Sequence, residues 1–171
     1  ALAAHKDVDG VSESSLAGVF SGSGHGFAPC TSQACVQILD HFGINCAGKR
    51  AVVLGRSLVV GRPAAIMLLE RNATVTICHS KTQDLPGVCR EADILVVAIG
   101  RADFVDASFL APGQVVVDAG INFDDHGKQL GDVDQADADG IVAAYTPVPG
   151  GVGVVTTAML ASHLIEAASR N

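Results

Sequence analysis

The stretch Ala51-Val52-Val53-Leu54-Gly55-Arg56-Ser57-Leu58-Val59-Val60-Gly61-Arg62-Pro63 constrains this chain more than any other. An apolar run feeds a glycine turn, a short loop follows, and a second glycine precedes a proline. That is the order of a strand, a tight turn and a helix start in a dinucleotide-binding crossover. Gly55 lets the chain turn sharply at the strand end. Gly61 lets the helix begin close to its neighbour, and Pro63 suits a first helical turn because its missing N–H has no partner there. The remaining free N–H groups of that turn are expected to face an anion. Ser57 occupies the middle glycine position of the usual G-x-G-x-x-G pattern, so the loop alone is also compatible with a plain strand-to-helix connection.

The flanking sequence repeats the unit. Strands are predicted at 50–54, 73–78, 93–99, 114–119 and 141–144, and helical segments at about 31–42, 61–71, 85–91, 106–110 and 156–168. Thr31 or Ser32 is expected to cap the first of these helices. The run Asp93–Ile99 is continuously apolar after its first residue, as in a strand covered on both faces. Alternation of this kind predicts an α/β fold with a doubly wound parallel sheet, a Rossmann-like NAD(P)-binding domain. Asp124–Leu130 reads as a hairpin and Asp132–Asp139 as a solvated helix. Residues 1–29, with Ser21-Gly22-Ser23-Gly24-His25-Gly26 at their centre, read as a lead-in or linker.

Ligands of such sheets sit at the carboxyl ends of the strands. Those ends are Gly55-Arg56-Ser57, His79-Ser80-Lys81, Ile99-Gly100-Arg101, Gly120-Ile121-Asn122 and Thr146-Pro147. The second strand ends without the carboxylate that binds the ribose hydroxyls of NAD. Arg56 and Lys81 instead place cations on adjacent strand ends, which favours the extra 2′-phosphate of NADP. Either cation read alone is an ordinary solvated charge. The net charge of −7 argues against nucleic acid or an anionic membrane as partner, and no uninterrupted apolar run reaches the roughly 18 residues of a bilayer span. Five cysteines without a C-x-x-C pair read as free thiols of a reducing compartment, and no metal site is expected.

Pro29-Cys30-Thr31, Gly55-Arg56-Ser57 with Val60-Gly61-Arg62-Pro63, Ala73-Thr74-Val75-Thr76, Cys78-His79-Ser80-Lys81-Thr82, Ala92-Asp93-Ile94-Leu95, Asp118-Ala119-Gly120-Ile121-Asn122, Gly131-Asp132-Val133 and Thr146-Pro147-Val148-Pro149-Gly150-Gly151-Val152-Gly153 follow one another in a familiar order. Together they resemble the bifunctional methylenetetrahydrofolate dehydrogenase/methenyltetrahydrofolate cyclohydrolase family. Lys6-Asp7-Val8-Asp9-Gly10 resembles the family's hinge motif.

The resemblance implies oxidation of 5,10-methylenetetrahydrofolate with NADP, then hydrolysis of the methenyl product to 10-formyltetrahydrofolate. It implies that Gly55, Arg56 and Ser57 hold the cofactor phosphates, that Ser80 joins Arg56 at the 2′-phosphate, and that Ile121 lies near the nicotinamide. Asp9 would bond the pterin, and Pro149, Gly150, Gly151, Val152 and Gly153 would form the loop over the folate. It further implies a cytoplasmic homodimer with the 124–130 hairpin as an interface element. Residues 1–28 would be the hinge from a catalytic domain, 29–155 the nucleotide-binding domain, and 156–171 a helix returning towards the catalytic domain.

Two departures stand out. The family's catalytic lysine lies in a Tyr-x-x-x-Lys motif, and the only tyrosine here, Tyr145, has no lysine four residues on. No catalytic residue is therefore expected in this chain, which should bind NADP weakly without turnover. Val154-Val155 also replaces the family's Pro-Met after the glycine loop. The alternatives left open are a stand-alone nucleotide-binding module and, less favoured, another NADP dehydrogenase sharing the sheet, of a shikimate or amino-acid type.

Overall fold

A computed structural model describes residues 4–169; the first three residues of the expected lead-in and the last two of the C-terminal segment lie outside them. The strands are β1 (Arg50–Leu54), β2 (Thr74–Cys78), β3 (Ile94–Val97), β4 (Val115–Asp118), β5 (Asn122–Phe123), β6 (Gln129–Leu130) and β7 (Ala144–Tyr145). The helices are α1 (Glu13–Ser21), α2 (Cys30–His41), α3 (Gly61–Glu70), α4 (Leu85–Arg90), α5 (Gln135–Ala138) and α6 (Val152–Ser169), with single 3-10 turns at Ala4–Lys6 and Ala107–Phe109. Five strands form one sheet in the order β2-β1-β3-β4-β7, every pair parallel. The chain runs outward from β1 to β2, then crosses back to β3 on the far side of β1. This reversal is the switch point of a doubly wound sheet.

The apolar strand runs are explained by their two covered faces. Ala51, Val53, Ile94, Val96 and Val117 point into a core with residues of α2, α3 and α6, among them Leu39, Leu68 and Val152. Their neighbours Val52, Leu54, Leu95, Val97 and Val116 point the other way, against Cys89, Phe109, Leu110 and Ala138. A period of two with apolar residues in both phases leaves no polar position. β2 is an edge strand, and only its last residue, Cys78, is buried. All five cysteines are free and buried. Burial pushes the thiols of Cys30, Cys35 and Cys89 up to about 12, so none is a nucleophile at neutral pH.

Several expectations are corrected. The lead-in contains a helix, α1, capped by Ser12, whose Oγ accepts the Ser15 N–H, and closed by Gly22 at φ 64°. Its buried face is Ser15 and Gly18, too small to give an apolar period. A Cβ on Gly18 would lie 1.9 Å from the His25 carbonyl oxygen, so helix and loop meet backbone to backbone. Asp7 replaces apolar anchoring: its buried carboxylate accepts the N–H groups of Gly10, Val11 and Ser12 and the Ser15 hydroxyl at 2.7–3.1 Å. Burial would raise the Asp7 pKa, but these bonds outweigh it and hold it at about 2.

Neither Thr31 nor Ser32 caps α2. Pro29 holds the cap position with no side-chain bond, and the Ser32 hydroxyl bonds the carbonyls of Val59 and Val60 instead. The solvated helix expected at 132–139 shrinks to α5, capped by Asp134, while Asp132 and Val133 are buried. The last strand sits at 144–145 rather than 141–144: the N–H groups of Ile141 and Val142 still donate to the Ala138 carbonyl, and pairing with β4 begins at Ala144.

The C-terminal helix starts at Val152, inside the glycine loop. It is 18 residues long with mean hydropathy 1.3, long and apolar enough by length and composition to cross a membrane. The sequence expectation of no such span counted an unbroken run, which Thr, Ser, His and Glu166 interrupt without lowering the average much. α6 lies along α2 and leaves Val154, Leu164 and Ile165 exposed.

Candidate functional site

The two loops at the switch point meet at Gly55. Its N–H donates to the Cys78 carbonyl at 3.0 Å, and at φ 126° a Cβ would lie 2.1 Å from the Ala98 oxygen. Only glycine fits where β1, β2 and β3 end side by side. Gly61 serves the same loop: a Cβ there would lie 2.3 Å from the Gly55 oxygen. The Ser57 hydroxyl accepts the N–H groups of Val60 and Gly61 at 3.0 and 3.3 Å, and its carbonyl accepts that of Arg62. The N–H groups of Gly61 and Arg62 at the start of α3, expected to face an anion, are therefore taken by Ser57.

A cavity of about 320 Å³ lies at the ends of β1, β2 and β3. Gly55, Arg56, Ser57 and Ser80 all line it, as does His79; Lys81 does not. The β3 side is apolar, with Leu85, Ala98, Ile99 and Phe104. Arg101 completes the lining, and its guanidinium lies 4.3 Å from the Phe104 ring centroid. The lining holds two arginines and no carboxylate in a chain of net charge −7. Among the described residues neither arginine is in an ion pair.

A second cavity of about 390 Å³ lies at the end of β4. Ile121 and the loop Pro149, Gly150, Gly151, Val152 and Gly153 line it, joined by Thr31 and Asp118. A Cβ on Gly151 would lie 2.4 Å from the Pro147 oxygen, so the loop folds tightly on itself. Gln135 clamps it from outside, donating to the Val148 carbonyl at 2.8 Å and accepting the Val148 N–H at 3.3 Å. The Val148–Pro149 peptide is cis. Asp9 is exposed and lines neither cavity. Its carbonyl accepts the Cys30 N–H, which places it one residue from Thr31 at the rim of the second cavity. His163 of α6 secures that segment, with Nδ1 2.8 Å from the Val8 oxygen and Nε2 2.7 Å from Gln33 Oε1. Cys30 Sγ is 3.5 Å from the same Nδ1, and burial pushes its thiol up to about 12.

Two buried aspartates that motif reading left without a role build the floor between the cavities. Asp132 Oδ2 accepts the N–H groups of Ile99 and Gly100 at 2.6 and 2.9 Å, and Oδ1 accepts that of Arg101 at 2.8 Å and the Asn122 amide at 2.9 Å. Asp118 accepts the N–H groups of Gly120, Asp132 and Val133 at 2.8–3.1 Å. Each presses on a glycine: a Cβ on Gly120 would lie 2.4 Å from the Asp132 carboxyl carbon, and one on Gly131 would lie 2.0 Å from Asp118 Oδ2. Burial pushes the Asp118 carboxyl up to about 6; its N–H partners oppose the shift and the nearby Asp132 charge adds to it.

Residues 29–171 match a family described as tetrahydrofolate dehydrogenase/cyclohydrolase, NAD(P)-binding domain. The chain is 57% identical over 164 residues to the bifunctional protein FolD of Carboxydothermus hydrogenoformans, covering 95% of this chain and 57% of that protein. FolD of Clostridioides difficile is 51% identical over 166 residues, 97% of this chain and 58% of its own. The crystal structure of the Campylobacter jejuni FolD dehydrogenase/cyclohydrolase superposes with a TM-score of 0.94 at 40% identity, over 98% of this chain and 60% of that one. The Trypanosoma brucei enzyme, solved in complex with NADP cofactor and inhibitor, gives 0.91 at 34% identity over 99% and 60%. The chain thus spans less than two thirds of the length of these relatives.

Proposed function

Because the chain belongs to the tetrahydrofolate dehydrogenase/cyclohydrolase family through its NAD(P)-binding domain, we propose that it is the NADP-binding portion of a bifunctional folate enzyme. The observation that carries the NADP reading is the switch-point cavity lined by Arg56 and Ser80 without a carboxylate. When bound, NADP would take the hydride from the one-carbon bridge of 5,10-methylenetetrahydrofolate; hydrolysis of the methenyl product would then give 10-formyltetrahydrofolate.

The chain's own residues bind and orient. Gly55 admits the pyrophosphate close to the backbone, and Arg56 and Ser80 grip the 2′-phosphate. Ser57 contributes by holding the turn at the start of α3. Ile121 walls the nicotinamide end, the loop Pro149, Gly150, Gly151, Val152 and Gly153 covers the folate, and Asp9 accepts hydrogen bonds from the pterin. Neither cavity is lined by a lysine, so the acid–base group is assigned to the part of the relatives this chain does not cover, and the chain alone is expected to bind without turnover. We assign the exposed side of α6 to packing against that part. The hairpin β5–β6, with Phe123 exposed, is the proposed homodimer element, and the free buried thiols fit a cytoplasmic location.

Titration of this chain with NADP and NAD tests the reading. Arg56→Ala should weaken NADP by roughly tenfold to a hundredfold, the worth of a charge-assisted bidentate contact, and leave NAD nearly unchanged. Equal affinity of the unsubstituted chain for the two dinucleotides would refute the preference.

A further inference from the structure

The switch-point cavity has two unlike sides. Its β1 and β2 ends supply Arg56, Ser57 and Ser80, the groups a phosphate needs. Its β3 end supplies Ala98, Ile99 and Phe104, with Leu85 from α4, the surfaces a flat heteroaromatic ring needs. Arg101 belongs to the second side by its place in the chain, yet it is a cation.

Three observations fix how it is presented. The Arg101 N–H is held by the buried Asp132 carboxylate at 2.8 Å, so its backbone is anchored although the side chain is exposed. The guanidinium lies 4.3 Å from the Phe104 ring centroid, and Phe104 is backed by Phe109 with ring centroids 5.4 Å apart. Among the described residues no carboxylate pairs with it. A guanidinium is planar and weakly hydrated, and it stacks on aromatic faces on either side. Phe104 lies on one side of the guanidinium, and the cavity that both residues line offers room for a ligand ring beside it.

Resting on the NADP reading above, we propose that Arg101 is a base-stacking residue of the nucleotide site: its plane, supported by Phe104, packs on the adenine and not on the 2′-phosphate. Arg56 then reads the phosphate that distinguishes NADP from NAD, and Arg101 reads the ring the two share. The division predicts different specificity from two arginines lining one cavity.

The test is titration of this chain with NADP, NAD and 5′-AMP, before and after substitution at position 101. Arg101→Ala should weaken all three by a similar factor, roughly threefold to tenfold for a partly exposed stacking contact. Arg101→Lys keeps the charge without the plane and should resemble the alanine variant. The Asp132 anchor uses only the main chain at this position, so both variants should fold, as circular dichroism would verify. Unchanged affinity in Arg101→Ala, a loss confined to NADP, or full recovery in Arg101→Lys would each overturn the proposal. Failure of the unsubstituted chain to bind any of the three at millimolar concentration would instead overturn the nucleotide-site reading, and this inference with it.

Discussion

Replacing Asp132 by asparagine removes one charge and almost no volume, so its effect isolates the hydrogen-bonding role of that carboxylate. Each carboxylate oxygen takes two donors: Oδ2 those of Ile99 and Gly100, Oδ1 those of Arg101 and Asn122. A carboxamide has one acceptor oxygen. Whichever way it turns, its NH2 group faces two N–H donors in a site with no exposed surface. Hydrogen bonds to a charged acceptor are worth about 1.5–3 kcal/mol each, and the Asn122 side chain can turn to recover part of the loss. Asp132→Asn should therefore cost about 3–5 kcal/mol, a large share of the 5–15 kcal/mol typical of a domain. At this chain length that corresponds to a fall in Tm of roughly 10 °C. Urea unfolding followed by circular dichroism measures it. NADP affinity should fall as well, because Asp132 ties the β3 loop carrying Arg101 to the β4 loop carrying Asn122. A variant within about 0.5 kcal/mol of the parent, with unchanged NADP binding, would refute the claim that this carboxylate organises the floor of the site.

Stability should also respond to pH through Asp118 and Asp7, with opposite signs. The Asp118 carboxyl is raised by burial to about 6 from 3.8, so the folded state holds its proton more tightly, and the stability this contributes is full below 3.8 and lost as pH rises through about 6. The size is of order 3 kcal/mol; urea midpoints between pH 4 and 7 should show the slope, and Asp118→Asn should flatten it. Asp7, held at about 2, contributes stability that is present above 3.8 and lost as pH falls through about 2, which acid unfolding of Asp7→Asn would reveal by its absence. Two glycine substitutions should separate steric need from mere occurrence. Gly61→Ala drives a Cβ to within 2.3 Å of the Gly55 backbone and should cost about 2–3 kcal/mol. Gly153→Ala, helical and with nothing within 4 Å, should be neutral or stabilising by about 0.5–1 kcal/mol; thermal melts of both decide it.

The parallel sheet is legible in the chain's residues alone, because strands covered on both faces must be apolar in both phases, and Val52-Val53-Leu54 and Ile94-Leu95-Val96-Val97 leave few other readings. The address of the switch-point cavity is legible as well, since Gly55, Arg56, Ser57 and Ser80, which line it, follow strand ends that a doubly wound sheet brings together. These signals are local: each rests on neighbours within one element. What depends on residues distant in sequence appears only once the chain is folded. Asp132 reads as a solvent residue until the fold sets it beneath the N–H groups of Ile99, Gly100 and Arg101. Ser57 shows in sequence only as a candidate phosphate ligand; that its hydroxyl also accepts the N–H groups of Val60 and Gly61 at the start of α3 appears only in the fold. The segment before residue 30 reads as a linker because its helix buries serine and glycine, not leucine, and is anchored by the Asp7 carboxylate. Arg101 is legible only as a strand-end residue in Ile99-Gly100-Arg101; the placement of Phe104 against it gives the side chain an orientation. Apolar burial leaves a periodic trace in sequence, whereas a buried polar network is specified by partners that only the folded chain brings within hydrogen-bond distance.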